Sequence, residues 1–308
     1  MTTDTRDLTA TVLTPQQWRA RQEHHRATVD KLTAGRRERR SRGERHPVWD
    51  FMYTYYPVTP GKLGRWNPGF GVSLVADGDE RPGTAGTLRE TTAPDGTALW
   101  ELDADALMAK RGTSFTYMRR LLASTLGRPA RFSCFGMHEW AMVYRDAPRH
   151  PEPLRLGREA TDGVVEANTL RCTHIDAFRF FTEDAVPRNT LNPTRETQAD
   201  MEQPGCLHAT MDLYKWATKL GPLVPGELWL DTFRLACDVR RTDMEASPYD
   251  LSAWGFTPVA VETPDGRAEY VRRQRDFAER GQVLRRALVD IIDDFFRSTQ
   301  RASRGNGD

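Results

Sequence analysis

Three segments between residues 134 and 216 each place a histidine beside a carboxylate in otherwise apolar sequence. The pairs are His138 with Glu139, His174 with Asp176, and His208 with Asp212. A carboxylate buried without a partner costs several kcal/mol, so such a group is paired, protonated or bound to metal in a folded protein. Because this pattern recurs three times, we expect the pairs to converge on one interior site.

The spacing within each pair constrains how its side chains can meet. His208 and Asp212 are four residues apart and share one face of a helix. His174 and Asp176 share a face only if the chain is extended there. Each pair also has a structural alternative, in which the histidine bonds a neighbouring element and the acid pairs with Arg179, Arg195 or Lys215.

The residue types of these pairs suit two kinds of chemistry. Imidazole and carboxylate are ligands of zinc and non-haem iron. The candidate metal ligands are His138, His174 and His208, with Glu139, Asp176 or Asp212 completing the shell. Without metal, the same carboxylates would act in catalysis, one activating water and another protonating a leaving group. No HExxH or ExxH motif decides between these alternatives.

Cysteines add a third alternative. Cys134, Cys172 and Cys206 precede the three histidines by four, two and two residues. A thiol next to an imidazole can act as a nucleophile, although a free cysteine is usually an inert core residue.

A proline-marked loop over 187–204 carries groups suited to binding a substrate. Asn192 and Glu196 supply hydrogen-bonding groups, and the guanidinium of Arg195 can bind a phosphate or carboxylate through two hydrogen bonds. The alternative is that Arg195 pairs with Glu196 or Glu202 and fastens the loop. A loop of this length inside a compact domain is usually functional or disordered.

Aromatic and basic residues outside the histidine–carboxylate pairs suggest what the substrate would be. Trp49, Tyr53 and Trp140 could stack on a planar base, although aromatic side chains at this density are more often core. Five arginines within Arg36–Arg42 could contact the phosphates of a nucleic acid, or could form a solvated helix face.

Composition limits the class of protein. The 308 residues are 38% hydrophobic and 28% charged, with a mean hydropathy of −0.65, as in a globular protein. The formal net charge of +1 provides no global field toward nucleic acid or membrane. No apolar run approaches the ~20 residues of a membrane span. The absence of a signal peptide and of a CxxC motif predicts a cytoplasmic protein with reduced thiols.

Helical signals dominate the chain. Thr14 and Pro15 begin a helix that runs toward Arg42, and further helices are predicted over 46–57, 103–111, 114–126, 205–220, 225–245 and 267–301. Short strands are expected within 61–98 and, as a pair, within 155–173. We therefore predict a mainly α fold with a few short strands. It forms one compact catalytic domain over 12–301, with a disordered lead at 1–11 and a disordered tail at 302–308.

Four segments together resemble a bacterial family commonly labelled 3-methyladenine DNA glycosylase. They are HPVWDF at 46–51, CFGMHEWA at 134–141, NPTRET at 192–197 and PGCLHA at 204–209. The resemblance covers about residues 13–290 and implies hydrolysis of the N-glycosidic bond to an alkylated purine, with stacking of a flipped base. Glu139, Asp176 or Asp212 would be the catalytic carboxylate. The sequence lacks the hairpin motif of helix-hairpin-helix glycosylases.

Three hypotheses follow from the sequence. The first is a hydrolase, an N-glycosylase acting on a nucleobase-containing substrate at a buried histidine–carboxylate site. The second is a hydrolase or oxygenase that uses a divalent metal, zinc or iron, on a small molecule. The third is a helical binding protein without catalytic activity.

Overall fold

The computed structural model describes residues 11–305 except 79, 81 and 83–86. The fold is mainly α with one small sheet, as the sequence predicts. The helices are α1 Pro15–Ser41, α2 Phe51–Thr54, α3 Pro60–Leu63, α4 Ala104–Leu126, α5 Met137–Ala141, α6 Gly157–Glu166, α7 Ile175–Phe178, α8 Gln198–Met201, α9 Leu207–Met211, α10 Leu213–Leu220, α11 Gly226–Glu245 and α12 Pro264–Gly305. Short 3-10 turns occur at Val186–Arg188, Gly221–Leu223 and Ser252–Trp254.

The first helix begins as its sequence predicts. Thr14 accepts a hydrogen bond from the backbone N–H of Gln17, and the Gln17 side chain accepts one from the backbone N–H of Thr14. This reciprocal arrangement satisfies two N–H groups that the first turn of a helix leaves without partners. Pro15 occupies the first helical position, where its missing N–H has no cost.

Four strands form a sheet in the order β1-β2-β4-β3, with bounds β1 Thr11–Leu13, β2 Val72–Val75, β3 Leu88–Thr92 and β4 Ala98–Leu102. The β1 strand is parallel to β2, and the other pairs are antiparallel. Leu13 lies opposite Leu74, and both side chains are buried in the core. Trp18 fixes α1 to this sheet, because its indole N–H donates to the carbonyl of Val75 at 3.1 Å.

The long C-terminal helix α12 organises the core. It packs against α4, α11, α9 and α10, and buries Tyr270, Leu288, Ile292 and Phe295. Gly281 permits a close approach to α9, since a Cβ there would lie 2.9 Å from a Thr210 carbon. This packing places α9 and α11 side by side in the interior, where their polar side chains meet.

Several predicted elements differ from the structure. The pair of strands expected within 155–173 is wrong: the segment forms α6, and Leu170 makes an isolated bridge to Asn189. Thr161 and Val165 are the buried residues of α6, and their spacing of four is helical. The β-branched pair Val164 and Val165 favours extended chain, but the segment is helical because a helix buries Thr161 and Val165 on one face.

Other differences concern boundaries. The helices predicted at 103–111 and 114–126 are one continuous helix, α4, and the aromatic helix at 46–57 is reduced to α2. Thr11, placed in the disordered lead, belongs to β1, and α12 continues to Gly305 within the expected tail. The remaining residues of that lead and tail, 1–10 and 306–308, lie outside the described residues. The prediction of one catalytic domain over 12–301 stays a prediction.

Among the described residues, no helix has both the length and the apolar composition that crossing a bilayer requires.

Candidate metal centre

A strained turn positions the first histidine. Phe135 and Gly136 have positive φ values of 49° and 72°, and the short helix α5 starts immediately after them. Left-handed backbone is costly for a residue with a Cβ, so Phe135 stores strain of about 1–3 kcal/mol. Gly136 is needed for a second reason, because a Cβ there would lie 3.2 Å from the Tyr270 ring. This turn places His138 in the interior.

Two further elements bring ligand-type groups to His138. His208 lies on α9, and its ring centroid is 4.5 Å from that of His138 with the planes nearly perpendicular. Asp243 lies on α11, and its Oδ1 is 2.7 Å from Nε2 of His138. One ligand atom from each of these three buried residues lies within 4.8 Å of the others. Two imidazoles and one carboxylate form the donor set of many zinc and non-haem iron sites.

Glu139 and Arg240 complete a group that we call the His138 cluster (His138, Glu139, His208, Arg240 and Asp243). The Arg240 guanidinium lies 3.3 Å from Asp243 and 3.6 Å from Glu139. Burial and the nearby Asp243 charge raise the pKa of Glu139 to about 7. Glu139 is therefore a carboxylate that exchanges its proton near neutral pH.

The two histidines of this cluster differ in charge. Burial and the charge of His138 lower the pKa of His208 to about 3, so its imidazole is neutral. Burial opposes protonation of His138 as well, but the Asp243 carboxylate holds its pKa well above the ordinary value. A neutral imidazole has a free lone pair, and this is the form that binds metal.

A second buried group, which we call the Asp212 cluster, adjoins the first (His174, Asp176, Glu202, Asp212 and Lys215). Nε2 of His174 lies 3.2 Å from Glu202 and 3.3 Å from Asp212. Lys215 bridges Asp212 and Asp176, with its Nζ 2.9 Å from Asp176. The His174 ring is 5.4 Å from the ring of His208, so the two clusters are in contact.

The charges of the Asp212 cluster are balanced by partners. Arg195 approaches Asp176 at 2.6 Å, and Tyr56 donates its hydroxyl to Asp212 at 3.0 Å. Although burial opposes ionisation, the hydrogen bond from Arg195 and the charge of Lys215 lower the pKa of Asp176 to about 2. The pKa of Asp212 is likewise lowered, against the effect of burial, by Lys215 and His174.

The structure thus brings all three predicted histidines together, but divides their neighbouring acids. Glu139 stays beside His138, whereas Asp176 and Asp212 lie in the Asp212 cluster. His174 falls outside the group that could hold a metal among the described residues. Arg195 forms an ion pair that fastens its loop, which is the alternative to substrate binding, but its partner is Asp176 rather than the expected Glu196 or Glu202.

The space at this site is small. A cavity of about 10 Å³ is bordered by His138, His208 and three thiols, those of Cys134, Cys172 and Cys206. Such a cavity has room for about one water molecule, so it is the size of an ion and its ligand rather than of a substrate. Cys134 Sγ is 3.9 Å from Nδ1 of His138. Burial raises the pKa values of Cys172 and Cys206, so these thiols stay protonated.

The three predicted stacking aromatics lie in separate environments. Trp140 is fully buried and donates its indole N–H to the carbonyl of Ala246 at 2.9 Å. Tyr53 packs against Phe233, and Trp49 lies next to His46. Among the described residues no ring contact joins these three aromatics. Asn192 and Glu196, the predicted loop contacts, are exposed.

Most arginines of the basic segment Arg36–Arg42 have acidic partners. Arg36 and Arg39 lie 2.7 and 3.6 Å from Asp50, as the end of α1 packs against the turn before α2. Arg37 pairs with Asp30 at 2.9 Å and Arg42 with Glu44 at 2.8 Å. Neutralised in this way, these side chains offer a phosphate less charge than the sequence suggests.

Sequence reasoning missed the carboxylate partner of His138. Asp243 is 105 residues away along the chain, and no local motif connects the two. A signal was present in α11, whose buried residues include Ala236, Val239, Arg240 and Asp243. Their spacing of three and four continues one helix face into the interior, so Arg240 and Asp243 occupy core positions.

Comparison with models of protein families, with curated proteins and with solved structures finds no match for this chain. The resemblance to the glycosylase-labelled family therefore stays a prediction, and the function has to be argued from the site itself.

Proposed function

We propose that this protein is a metal-dependent hydrolase whose divalent metal is bound by His138, His208 and Asp243. The observation that carries the proposal is the convergence of these three buried side chains, with one ligand atom of each within 4.8 Å of the others. Residues from α5, α9 and α11 supply them, so three separate elements are folded around one point.

The donor set fits zinc or iron. Ligand atoms around a tetrahedral ion with bonds of about 2.1 Å lie about 3.4 Å apart. His138 and Asp243 are 2.7 Å apart, so binding would release the proton of their hydrogen bond to solvent and separate the two side chains slightly. His208 is already neutral and needs no deprotonation.

The chemistry divides between the ion and the protein. A divalent metal would lower the pKa of a bound water and supply a nucleophile at neutral pH. Glu139, on the same turn as His138, is the carboxylate placed to accept a proton. Arg240 contacts both Glu139 and Asp243, and its charge would stabilise negative charge that develops there.

Two other hypotheses remain proposals on weaker support. An N-glycosylase would use Glu139 without metal, but the aromatics expected to stack the base lie apart, and the arginines expected to bind phosphate are mostly paired. An oxygenase would use iron in the same donor set. The geometry of the ligands does not favour it over hydrolysis, so we keep hydrolysis as the reaction class.

Elemental analysis of the purified protein tests the proposal. We expect about one zinc or iron per chain in the wild type, and its loss in His208→Ala. A His174→Ala variant is the matched control, because His174 is equally buried and belongs to the Asp212 cluster. It should retain the metal, provided that circular dichroism shows both variants to be folded.

The opposite results are equally informative. A folded, metal-free wild type that gains no affinity for added Zn²⁺ or Fe²⁺ would refute the metal site. Release of alkylated purines from DNA by that metal-free protein would establish the glycosylase instead.

A further inference from the structure

A surface pocket adjoins the small cavity that contains His138 and His208. Its volume is about 240 Å³, and its walls include Arg128, Arg131, Thr173, Asp200 and Gln203. Thr173 and Gln203 border the small cavity as well. These two side chains therefore form a common wall between the surface pocket and the candidate metal centre.

Both wall residues present hydrogen-bond donors that have no partner among the residues that the structure describes. The Oε1 atom of Gln203 accepts from the backbone N–H groups of Arg131 and Gly205, each at 2.8 Å. These bonds fix the amide, and its NH₂ group makes no hydrogen bond within the part of the chain that the structure describes. The Thr173 hydroxyl is likewise without such a partner there. Both residues are largely buried, at 5% and 7% exposure, but neither donor is among the side-chain atoms that are sealed from solvent without a partner. Each donor is therefore accessible to a ligand.

Positive charge surrounds this wall. Arg131 is exposed at the pocket, and Arg171 borders the small cavity. Arg128 is held in place by the carbonyls of Ala199 and Glu202, to which its Nη1 donates at 2.7 and 2.9 Å. The acid in the pocket wall, Asp200, is itself shared between Arg128 and Arg120. The positive charge of the pocket therefore exceeds its negative charge.

We propose that this pocket binds the oxyanion group, a phosphate or a carboxylate, of a small substrate beside the metal centre, from which it is separated by the side chains of Thr173 and Gln203. Thr173 and Gln203 would donate hydrogen bonds to the oxyanion, and Arg131 would supply the charge. This inference rests on the proposed hydrolase. It adds a substrate class, namely small anions that fit a cavity of about 240 Å³.

Calorimetric titration of the full chain with inorganic phosphate, at constant ionic strength, tests the pocket. Thr173→Val removes the hydroxyl while keeping the shape of the side chain, and Arg131→Gln removes the charge of an exposed side chain. We expect each change to weaken phosphate binding roughly tenfold, as for loss of a hydrogen bond to a charged group. Arg158→Gln, on the exposed face of α6, is the control and should bind phosphate as the wild type does.

Metal content, measured on the same samples, separates the two proposals. Stoichiometric metal in a wild type that does not bind phosphate would overturn the pocket and leave the hydrolase standing. The pocket would also be wrong if Arg131→Gln and Thr173→Val both bound phosphate with wild-type affinity. Phosphate binding that both variants weaken, in a protein without affinity for metal, would support the anion site and refute the hydrolase.

Discussion

The two buried clusters of this protein contain the same kinds of residue but balance their charges differently. In the Asp212 cluster every carboxylate has a basic side chain, Lys215 or His174, at 3.3 Å or less. In the His138 cluster, His208 is neutral and keeps an unused lone pair, and Glu139 has its closest cation, Arg240, at 3.6 Å. A cluster whose carboxylates are each paired with a basic side chain stabilises the fold, whereas a cluster with a neutral imidazole beside a cavity is suited to a ligand.

Removing a cation from the balanced cluster should have the largest effect on stability. Lys215→Met leaves Asp212 and Asp176 buried without their shared partner, and breaking a buried pair costs about 3–5 kcal/mol. Denaturant unfolding followed by circular dichroism measures this loss. Lys219→Met is the matched control on α10, because Lys219 also lies over the Trp216 ring but is exposed. If the two variants lost equal stability, the ion pairs would not be what Lys215 contributes.

Metal should stabilise the other cluster. A ligand that binds only the folded state adds about 2.7 kcal/mol at a concentration 100 times its Kd. We expect this gain for the wild type in Zn²⁺, measured as a shift in the denaturation midpoint, and no gain for His208→Ala. An equal gain in both proteins would mean that zinc binds elsewhere, for example at exposed histidines, and would remove the contrast between the clusters.

The sequence predicts the architecture better than the pairing within the site. Helix starts are local, so Thr14 with Pro15 and the long apolar face of α12 identify helices directly. The three histidines can be identified from the sequence because polar residues in apolar sequence are conspicuous. The role of Asp243 cannot be identified in this way, because it depends on α11 packing beside α5 and α9. That contact is tertiary, and nothing near His138 in the chain specifies it.

The assignment of Asp176 and Asp212 shows the same limit. Both acids lie near a histidine in apolar sequence, as the predicted site requires. However, Lys215, on the turn that follows Asp212, forms ion pairs with both of them. The spacing of three between Asp212 and Lys215 already permits this pair on a helix. Arg195 reaches Asp176 across 19 residues through the loop before α8, a contact that depends on the path of that loop.

The balanced cluster should also give stability a specific dependence on pH. The pKa of Asp176 is lowered to about 2 from an ordinary value of 3.8, so its ion pairs contribute fully above about pH 5. This contribution, about 2 kcal/mol, is lost as the pH falls from about 5 toward 2. The free energy of unfolding of Asp176→Asn should therefore be lower than that of the wild type at pH 6, and the difference should shrink in acid. A difference that stayed constant over this range would show that Asp176 contributes through packing instead.

The smallest effect should come from the turn that aims His138, and here stability and ligand binding can be separated. Gly136 and Gly157 share a φ of 72°, but only the former faces a neighbour, the Tyr270 ring at 3.2 Å; nothing lies within 4 Å of a Cβ at Gly157. Alanine at either position carries the left-handed penalty of about 1–2 kcal/mol.

Gly136→Ala must in addition displace Tyr270 or the turn itself, and His138 is two residues away. We therefore expect both variants to lose stability, Gly136→Ala somewhat more than Gly157→Ala. We expect weaker Zn²⁺ binding in Gly136→Ala alone, measured by competition with a chromogenic chelator. Equal zinc affinity in both variants would mean that the turn has a structural role only and does not position His138. Weaker binding confined to Gly136→Ala would show what the strained turn at Phe135 and Gly136 contributes. The turn would then place the imidazole of His138 where the imidazole of His208 and the carboxylate of Asp243 meet.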